Sequence, residues 1–527
     1  MRILNYLRAL YKGELFTKIM YFLKKKTGYF NKYCKKELNE INSFSLCNLN
    51  LIDLAVLNNE EDFEFDEYDF LGNIKKIDEI IFDNQYKEIF VKERLANYGD
   101  IKELWEINRL QFLLPLSINC YLSKDVQKIE RIKKYICQWK QENPFNIGPN
   151  WNSNLEVAIR AMTLYFIYEI LDLSELHDLL YLHGVHLFKE IDYSDKCIPN
   201  NHVLGEAVAL LVLGTSFKID KWIKKAEKLI LKYQNKIMTK EMISKEGSTR
   251  YHLFVTQMWV IAKKLMGNKI NSLDKALRFC GAMVKPNGEL LNIGDDDGGC
   301  YYAFYPNKTP HNLLKQFELF GYHVENVDID ETFYMVHIVK KGMNYLSVKV
   351  RQDKYHSHLD AFSFTYMLDG KDVICDGGTY KYNNFKDRNL YRSQAMHSTI
   401  ITKNSFLTLV GTFRLVGSYN IKYEIGNKKI RVFKDKLFSR IISYNDDLSR
   451  IDIQDEKLSG DILKIQWIVP KYENENIFDY YFDINVNLLA EDCNLSKEYN
   501  KFELGTRLVY KREFDLLEYS IRKKEAI

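Results

Sequence analysis

The sequence has little proline, 8 residues in 527, so long helices and short connections meet few interruptions. It has no CxxC pair. Its nine cysteines stand apart, at 34, 47, 120, 137, 197, 280, 300, 375 and 493, which argues against a zinc ribbon or a dithiol redox site. No run of 18 uncharged apolar residues occurs, so no transmembrane helix is expected. The amino-terminal stretch MRILNYLRALYKGELFTKIMYFLKKK lacks a clean apolar core and a small-residue cleavage site, and so does not read as a standard signal peptide. Scattered cysteines without such a signal point to reduced thiols in the cytoplasm. A strong excess of one charge is also missing. A formal net charge of +4 from 75 basic and 71 acidic residues does not suit a general nucleic-acid binder.

What is present fits a globular protein of two or three domains, 46% hydrophobic and 28% charged. Its 36 Tyr, 31 Phe and 6 Trp serve equally as sugar-stacking platforms or as core. The first segment mixes apolar residues with Arg2, Arg8, Lys12, Lys18 and Lys24 to Lys26. It is expected to form a helix packed on the body with a solvated basic face. The alternative is a basic amphipathic helix lying on the inner face of an anionic membrane as a peripheral contact.

Two periodic regimes follow. From about 75 to 285 the apolar residues recur at helical spacing, as in Leu155, Ile159, Met162 and Phe166, with comparable segments at 101–118, 126–140, 202–217, 219–236, 251–266 and 273–284. Helices joined by short connections suggest pairs arranged as a solenoid or a closed toroid, and periodicity does not choose between them. After residue 300 the period becomes two: Leu346, Val348 and Val350, then Phe362, Phe364, Tyr366 and Leu368, then Leu463, Ile465, Trp467 and Val469. Such strands predict an antiparallel sandwich. The expected division is a helical lead-in over 1–70, a helical domain over 71–298 and a β domain over 299–527.

Four clusters carry chemistry. In the first, Pro149 to Ala161, Ser153 or Asn154 can cap a helix, Glu156 and Arg160 stand four apart as an ion pair, and Trp151 is either a platform or core. In the second, Asn200 to Glu206, an amide and an imidazole at a helix start can converge on an anion, or Asn201 merely caps. In the third, Glu246 to His252, Arg250 beside Tyr251 would favour a phenolate suited to acid/base work; the plain alternative is a structural tyrosine. The fourth joins Tyr355 to Asp360, Asp376 to Gly378 and Arg392 to Thr399. If 355–360 is extended, His356, His358 and Asp360 share one face. Histidine and aspartate from neighbouring strands make either a divalent metal site or a polar network.

Taken in order, NWNSNLEVAIRA, NNHVLGE, EGSTRYH, IGDDDGG, HSHLDAFSF, DGGTY and RSQAMHST resemble the heparinase II/III-like polysaccharide lyases over about 100 to 480. The resemblance implies an incomplete (α/α) toroid followed by an antiparallel β-sandwich, with the site between them. It implies β-elimination on an acidic, uronate-containing polysaccharide. Asn201 would neutralise the uronate carboxylate, with His202 beside it. Tyr251 would be the Brønsted acid, and perform as base where both groups lie syn, while His356 would be its partner. His358, Asp376 and His397 would hold a divalent ion, zinc in many relatives, that braces the sandwich. Trp151, Glu206, Arg250 and Arg392 complete the expected substrate contacts, the two arginines on their charge. Relatives commonly carry asparagine after the last motif histidine, where this chain has Ser398. A member without a signal peptide would act in capsule or exopolysaccharide metabolism. The rival readings are a glycoside hydrolase using Glu156 or one of Asp295 to Asp297, a non-catalytic glycan-binding protein, and a cupin-like metal enzyme.

Overall fold

The computed structural model describes residues 13–27, 29, 36, 44–57, 63–82, 101–382, 385–403, 407–417, 420–460, 462–471, 482–484, 488–511 and 514–522. Arg2, Arg8, Lys12, Cys34 and the stretch 83–100 lie outside the described residues.

The helical half contains α1 (Glu14–Lys26), α2 (Ile101–Asn108), α3 (Leu113–Ser123), α4 (Val126–Glu142), α5 (Asn154–Leu171), α6 (His177–Cys197), α7 (Asn201–Ser216), α8 (Asp220–Ile237), α9 (Thr249–Met266), α10 (Asp274–Ala282) and the short α11 (Pro310–Lys315). The segment expected over 101–118 divides in two because Leu110 takes a left-handed φ of 61°. Helix α7 is apolar on all sides and almost wholly buried, which places it at the centre of the array. It packs against α5, α6, α8 and α9. This half is the incomplete (α/α) toroid.

The span before α2 is mixed. α1 is helical, whereas residues 44–57 are irregular apart from a 3₁₀ turn at Leu54–Val56 and are tied to the toroid. There the Tyr165 hydroxyl accepts from Leu49 N (2.8 Å) and the Glu169 carboxylate accepts from Ile52 N (2.7 Å). A two-stranded hairpin, β1 (Glu67–Phe70) with β2 (Asn73–Lys76), follows.

The β half is antiparallel. One sheet runs β3 (Ile329–Phe333), β4 (Val336–Lys341), β5 (Asn344–Lys349), β6 (Phe364–Leu368) and β7 (Lys371–Ile374) in sequence order. Two further sheets, of six and four strands, carry β8 (Ile400–Thr402) onward, and a separate hairpin pairs β9 (Leu407–Val410) with β10 (Arg414–Gly417). The alternation read at 346–350 does not give β5 a solvent face. All six of its residues are buried, Ser347 sharing a hydroxyl hydrogen bond with Thr365 (2.7 Å) and Lys349 pairing with Asp360. One apolar core runs from the toroid into β3, β4 and β5, and a second fills the sandwich behind them.

Candidate active site

Tyr251 stands in the first turn of α9. The Ser248 side chain caps this helix by accepting from Tyr251 N (3.1 Å), and its hydroxyl donates to the Asp295 carbonyl (2.5 Å). Thr249 Oγ1 donates to Leu291 O (2.6 Å), so the helix start is fastened to 291–295. Gly294 allows the convergence: its φ is +70°, and a Cβ there would lie 2.3 Å from Gly247 O and 2.4 Å from His356 O. Three loops therefore meet at a point where no side chain fits.

Across that junction the Tyr251 and His356 rings stack, with centroids 3.7 Å apart and planes 19° from parallel. His356 comes from the β half, in a stretch that is not extended. Its φ of 51° kinks the chain, so His356, His358 and Asp360 do not share a face; Asp360 instead pairs with Lys349. Asp295 gathers what the kink separates. One carboxylate oxygen lies 3.1 Å from His356 Nδ1 and the other 2.9 Å from His358 Nε2, while Arg388 Nη2 approaches to 2.6 Å. Burial opposes ionisation of Asp295, but Arg388 and the two imidazoles hold its carboxyl well below the usual range.

The Tyr251 hydroxyl donates to Asp297 Oδ2 (3.1 Å), which also receives Lys102 from α2. Lys102 stands 4.9 Å over the Tyr382 ring and 5.3 Å over Tyr499. Despite burial, Lys102 and Arg109 keep Asp297 ionised. Burial, and next Asp297 and Asp295, push the Tyr251 phenol well above its ordinary value. This corrects the expected phenolate. Arg250, one residue earlier on the helix, points away and donates to the Gly298 (2.8 Å) and Gly299 (3.3 Å) carbonyls.

Asn201 opens α7, where Asn200 and not Asn201 is the cap, its side chain accepting from His202 N (3.1 Å). Asn201 is fully buried. Its backbone N donates to Glu246 Oε1 (2.9 Å) and its amide to Glu246 Oε2 (2.5 Å), which ties it to the loop leading into α9. His202 is half-buried beside it.

Other expected contacts have interior places. Trp151 is 1% exposed, lies edge-on to Phe145, and donates its indole N–H to Asn143 O (3.2 Å); it presents no face to a sugar. Glu206, one turn beyond Asn201, is wholly buried. Arg392 is also buried and donates to the Gly411 (2.9 Å) and Arg414 (3.0 Å) carbonyls, bracing the β9–β10 hairpin instead of facing a polyanion. Glu156 and Arg160 do not pair. Glu156 takes a bidentate bond from Arg109, while Arg160 donates to His183 Nε2 (3.0 Å) and lies 4.4 Å from the Trp139 ring.

His358, Asp376 and His397 bring one ligand atom each within 4.8 Å of one another. His397 Nδ1 bonds Asp376 Oδ2 (2.7 Å). Burial lowers the His358 imidazole to about 4, so it is neutral and donates Nε2–H to Asp295. That leaves His358 Nδ1 and His397 Nε2 buried with no hydrogen-bond partner among the described residues. Two orphaned imidazole nitrogens beside the Asp376 carboxylate, with the His358 ring oriented by Asp295 and the His397 ring by Asp376 itself, form a donor set that fits a divalent ion. Ser398 serves the strands beneath: its hydroxyl donates to Cys375 O (3.3 Å) and accepts from Ile468 N (2.9 Å).

Asp295 was missed from sequence as an orienting group, along with Lys102, Tyr382 and Arg388. The signal for Asp295 was its setting between Gly294 and the Gly298-Gly299 pair, since flanking glycines mark close backbone approach as well as a turn. Neither Asp295 nor Asp297 is available as a hydrolase carboxylate, because each is committed to cations and to the Tyr251–His356 pair. Behind Arg250 lies a separate cavity of about 560 Å³ lined by Asn292, Asp296, Lys308, Asp372, Asp376 and Lys497.

Residues 309–445 match the family model described as heparinase II/III-like, C-terminal. No curated protein matches the chain. Among solved structures, a heparinase III covers 93% of this chain and 84% of its own at 15% identity, with a TM-score of 0.57. A second heparinase III covers 95% and 89% at 15% identity, with a TM-score of 0.56. The heparan sulfate lyase HepC from Pedobacter heparinus covers 84% and 80% at 16% identity, with a TM-score of 0.51. The chain thus carries a heparinase II/III-like C-terminal domain, on a molecule with the toroid-and-sandwich fold of heparinase III.

Proposed function

We propose that the chain is a polysaccharide lyase that cleaves an acidic, uronate-containing glycan by β-elimination. The observation that carries this reading is the stacking of Tyr251 on His356 across the junction, with Asp295 behind the imidazole and Asp297 on the phenol. The heparinase III and heparan sulfate lyase that share the fold support a glycosaminoglycan-type substrate.

The reaction removes H5 of the uronate and expels the oxygen on C4. Charge builds on the carboxylate as the proton leaves, so a donor aimed there stabilises the transition state. Asn201 takes this role, oriented by Glu246, with His202 beside it. Asp295 is ionised and accepts Nδ1–H from His356, which leaves the Nε2 lone pair to take H5. Tyr251 is held protonated by burial and by Asp297, which suits donation to the departing O4. The products are a new reducing end, where the departing oxygen stays on the preceding sugar as its anomeric hydroxyl, and a 4,5-unsaturated uronate at the new non-reducing end.

His358, Asp376 and His397 are assigned a divalent ion, zinc by their donor type. When bound it fixes the loop carrying His356 and takes no part in the proton transfers. A place in capsule or exopolysaccharide metabolism belongs to the same proposal.

The test is the ultraviolet absorbance of the conjugated uronate during incubation with heparosan, heparan sulfate, alginate, hyaluronan and the host's own polysaccharide. Wild type is expected to raise it on at least one of these. Tyr251→Phe keeps the ring stack and loses only the hydroxyl, so its rate falls by roughly 10²–10⁴ while its fold persists. Asn201→Ala also loses the signal. Release of reducing ends without that absorbance would establish hydrolysis instead. A Tyr251→Phe variant as active as wild type would remove the tyrosine from the chemistry.

A further inference from the structure

Helix α1 is mounted inside out. An amphipathic helix ordinarily sets its apolar stripe on the core and its polar face in water. Here the inward side carries Glu14, buried at 2% exposure, with Lys18 and Tyr21 half-buried. Lys18 Nζ lies 2.7 Å from Glu14 Oε1, and the other carboxylate oxygen is 3.8 Å from Arg414 Nη1 on β10. The Tyr21 ring meets Tyr193 of α6 at 4.9 Å, and Glu14 O accepts from Cys197 Sγ at 3.9 Å.

The outward side is apolar. Leu15, Ile19 and Leu23 follow one another at i, i+4 and i+8, with Phe16 and Met20 alongside, so all five share one face. They are between 41% and 69% exposed. The helix packs on the body as expected, but it turns its hydrophobic stripe outward; of its basic side chains that are described, Lys18 is half-buried and Lys24 exposed. A contiguous exposed stripe of large apolar side chains marks an interaction surface.

Charge identifies the occupant. Residues 1–28 contain seven basic residues, Arg2, Arg8, Lys12, Lys18, Lys24, Lys25 and Lys26, against the single acid Glu14. A second copy docking on the same face would bring these clusters together and be repelled. An anionic lipid surface offers the opposite charge, with an apolar layer beneath to receive leucine, phenylalanine and isoleucine. At 13 residues the helix is about 20 Å long, shorter than a bilayer core of about 30 Å, so it can lie in the interface but not cross. No described helix is long and apolar enough to span.

We propose that the outward face of α1 docks the protein on an anionic membrane surface, with Leu15, Phe16, Ile19, Met20 and Leu23 in the interface and the exposed Lys24 at the headgroups. The inference is independent of the lyase reading.

The experiment is co-sedimentation of the full chain with vesicles of phosphatidylcholine alone and of phosphatidylcholine mixed with phosphatidylglycerol. Binding is expected to the mixed vesicles only, and to weaken as salt is raised. The paired substitution Phe16→Ser and Leu23→Ser alters exposed side chains outside the catalytic set, and should lower the bound fraction by about tenfold or more. Its melting temperature and any glycan-cleaving activity should match wild type, so that loss of binding is not loss of fold. Equal binding of variant and wild type, or no binding of wild type to anionic vesicles, would overturn the proposal. So would a dimer in light scattering that the paired substitution dissolves, since the face would then belong to a second copy.

Discussion

Replacing Asp295 by asparagine tests the centre of the site most directly. The carboxylate is wholly buried and serves three partners, His356 Nδ1 at 3.1 Å, His358 Nε2 at 2.9 Å and Arg388 Nη2 at 2.6 Å. Asparagine is nearly isosteric, so no cavity forms. It keeps one oxygen acceptor but turns the other into a donor, and it removes the charge opposite Arg388. Two consequences can be sized. Leaving the Arg388 guanidinium buried without its counter-charge costs about 3–5 kcal/mol of stability. The new amide N–H facing His356 favours the tautomer with the proton on Nε2, the nitrogen assigned to take H5. A histidine base held in the wrong tautomer loses roughly three to four orders of magnitude in kcat. Urea unfolding would give the first number, and the unsaturated-uronate absorbance at saturating glycan the second. KM should change little, because Asp295 is assigned no contact with substrate. The reasoning is refuted if D295N unfolds within about 1 kcal/mol of wild type, or if it retains activity within a few-fold.

Three other outcomes follow from named contacts. Chelation, or His397→Ala, should lower the thermal midpoint, and added zinc should restore it for wild type only, since the two orphaned imidazoles otherwise stay unsatisfied; an unchanged midpoint would deny the metal. Burial raises the Glu169 carboxyl to about 7 from an unfolded value of 4.5, so the folded state binds its proton more tightly, and stability is lost as pH climbs through that window. The loss is about 3 kcal/mol, and Glu169→Gln should flatten it in unfolding measured from pH 4 to 8; an unchanged slope would remove Glu169 as its source. Trp151→Ala should cost about 3–5 kcal/mol by opening the core, with KM unaltered, whereas a raised KM at unchanged stability would restore its role as a sugar platform.

The two-part architecture was legible because each half writes its own period. Helices α4, α7, α8, α9 and α10 lie within a few residues of the segments read from apolar spacing, and the strand read at 463–469 is Ile462–Pro470. Periodicity reports which face of an element is apolar, but not what that face meets. That is why α1 was read with its orientation reversed, and why the alternation at 346–350 did not reveal that Ser347 and Lys349 of β5 are buried. The same limit governed the site. Tyr251, His356 and the His358, Asp376 and His397 set were legible as ordered motifs, each rich in residues that are costly to bury. Asp295 was not, because three aspartates between glycines at a domain junction read as a solvated turn. Only the positive φ of Gly294 and the left-handed kink at His356 bring that turn inside, and neither shows in the spacing of residue types. Trp151 and Arg392 failed for the complementary reason: residue types apt for sugars and polyanions are also apt for cores and carbonyl cradles.

The placement of the proposed acid/base pair has a mechanical consequence. Tyr251 belongs to a helix of the toroid and His356 to a loop of the sandwich, so neither half holds the site alone. Their stacking depends on the angle between the halves, and the structure fixes that angle with buried contacts away from the pair. The toroid core runs without a break into β3, β4 and β5. Lys285 is buried against Asp372 of β7 (2.8 Å), and the Tyr345 hydroxyl donates to Ala282 O (2.9 Å) at the end of α10. The geometry of the proposed site is thus set by the same interface that stabilises the fold. A reacting pair shared between two packed bodies needs such an interface, because a displacement of about 1 Å at the reacting atoms can cost two orders of magnitude in rate. The continuous core is the physical reason a site divided between two halves of the chain can remain in register.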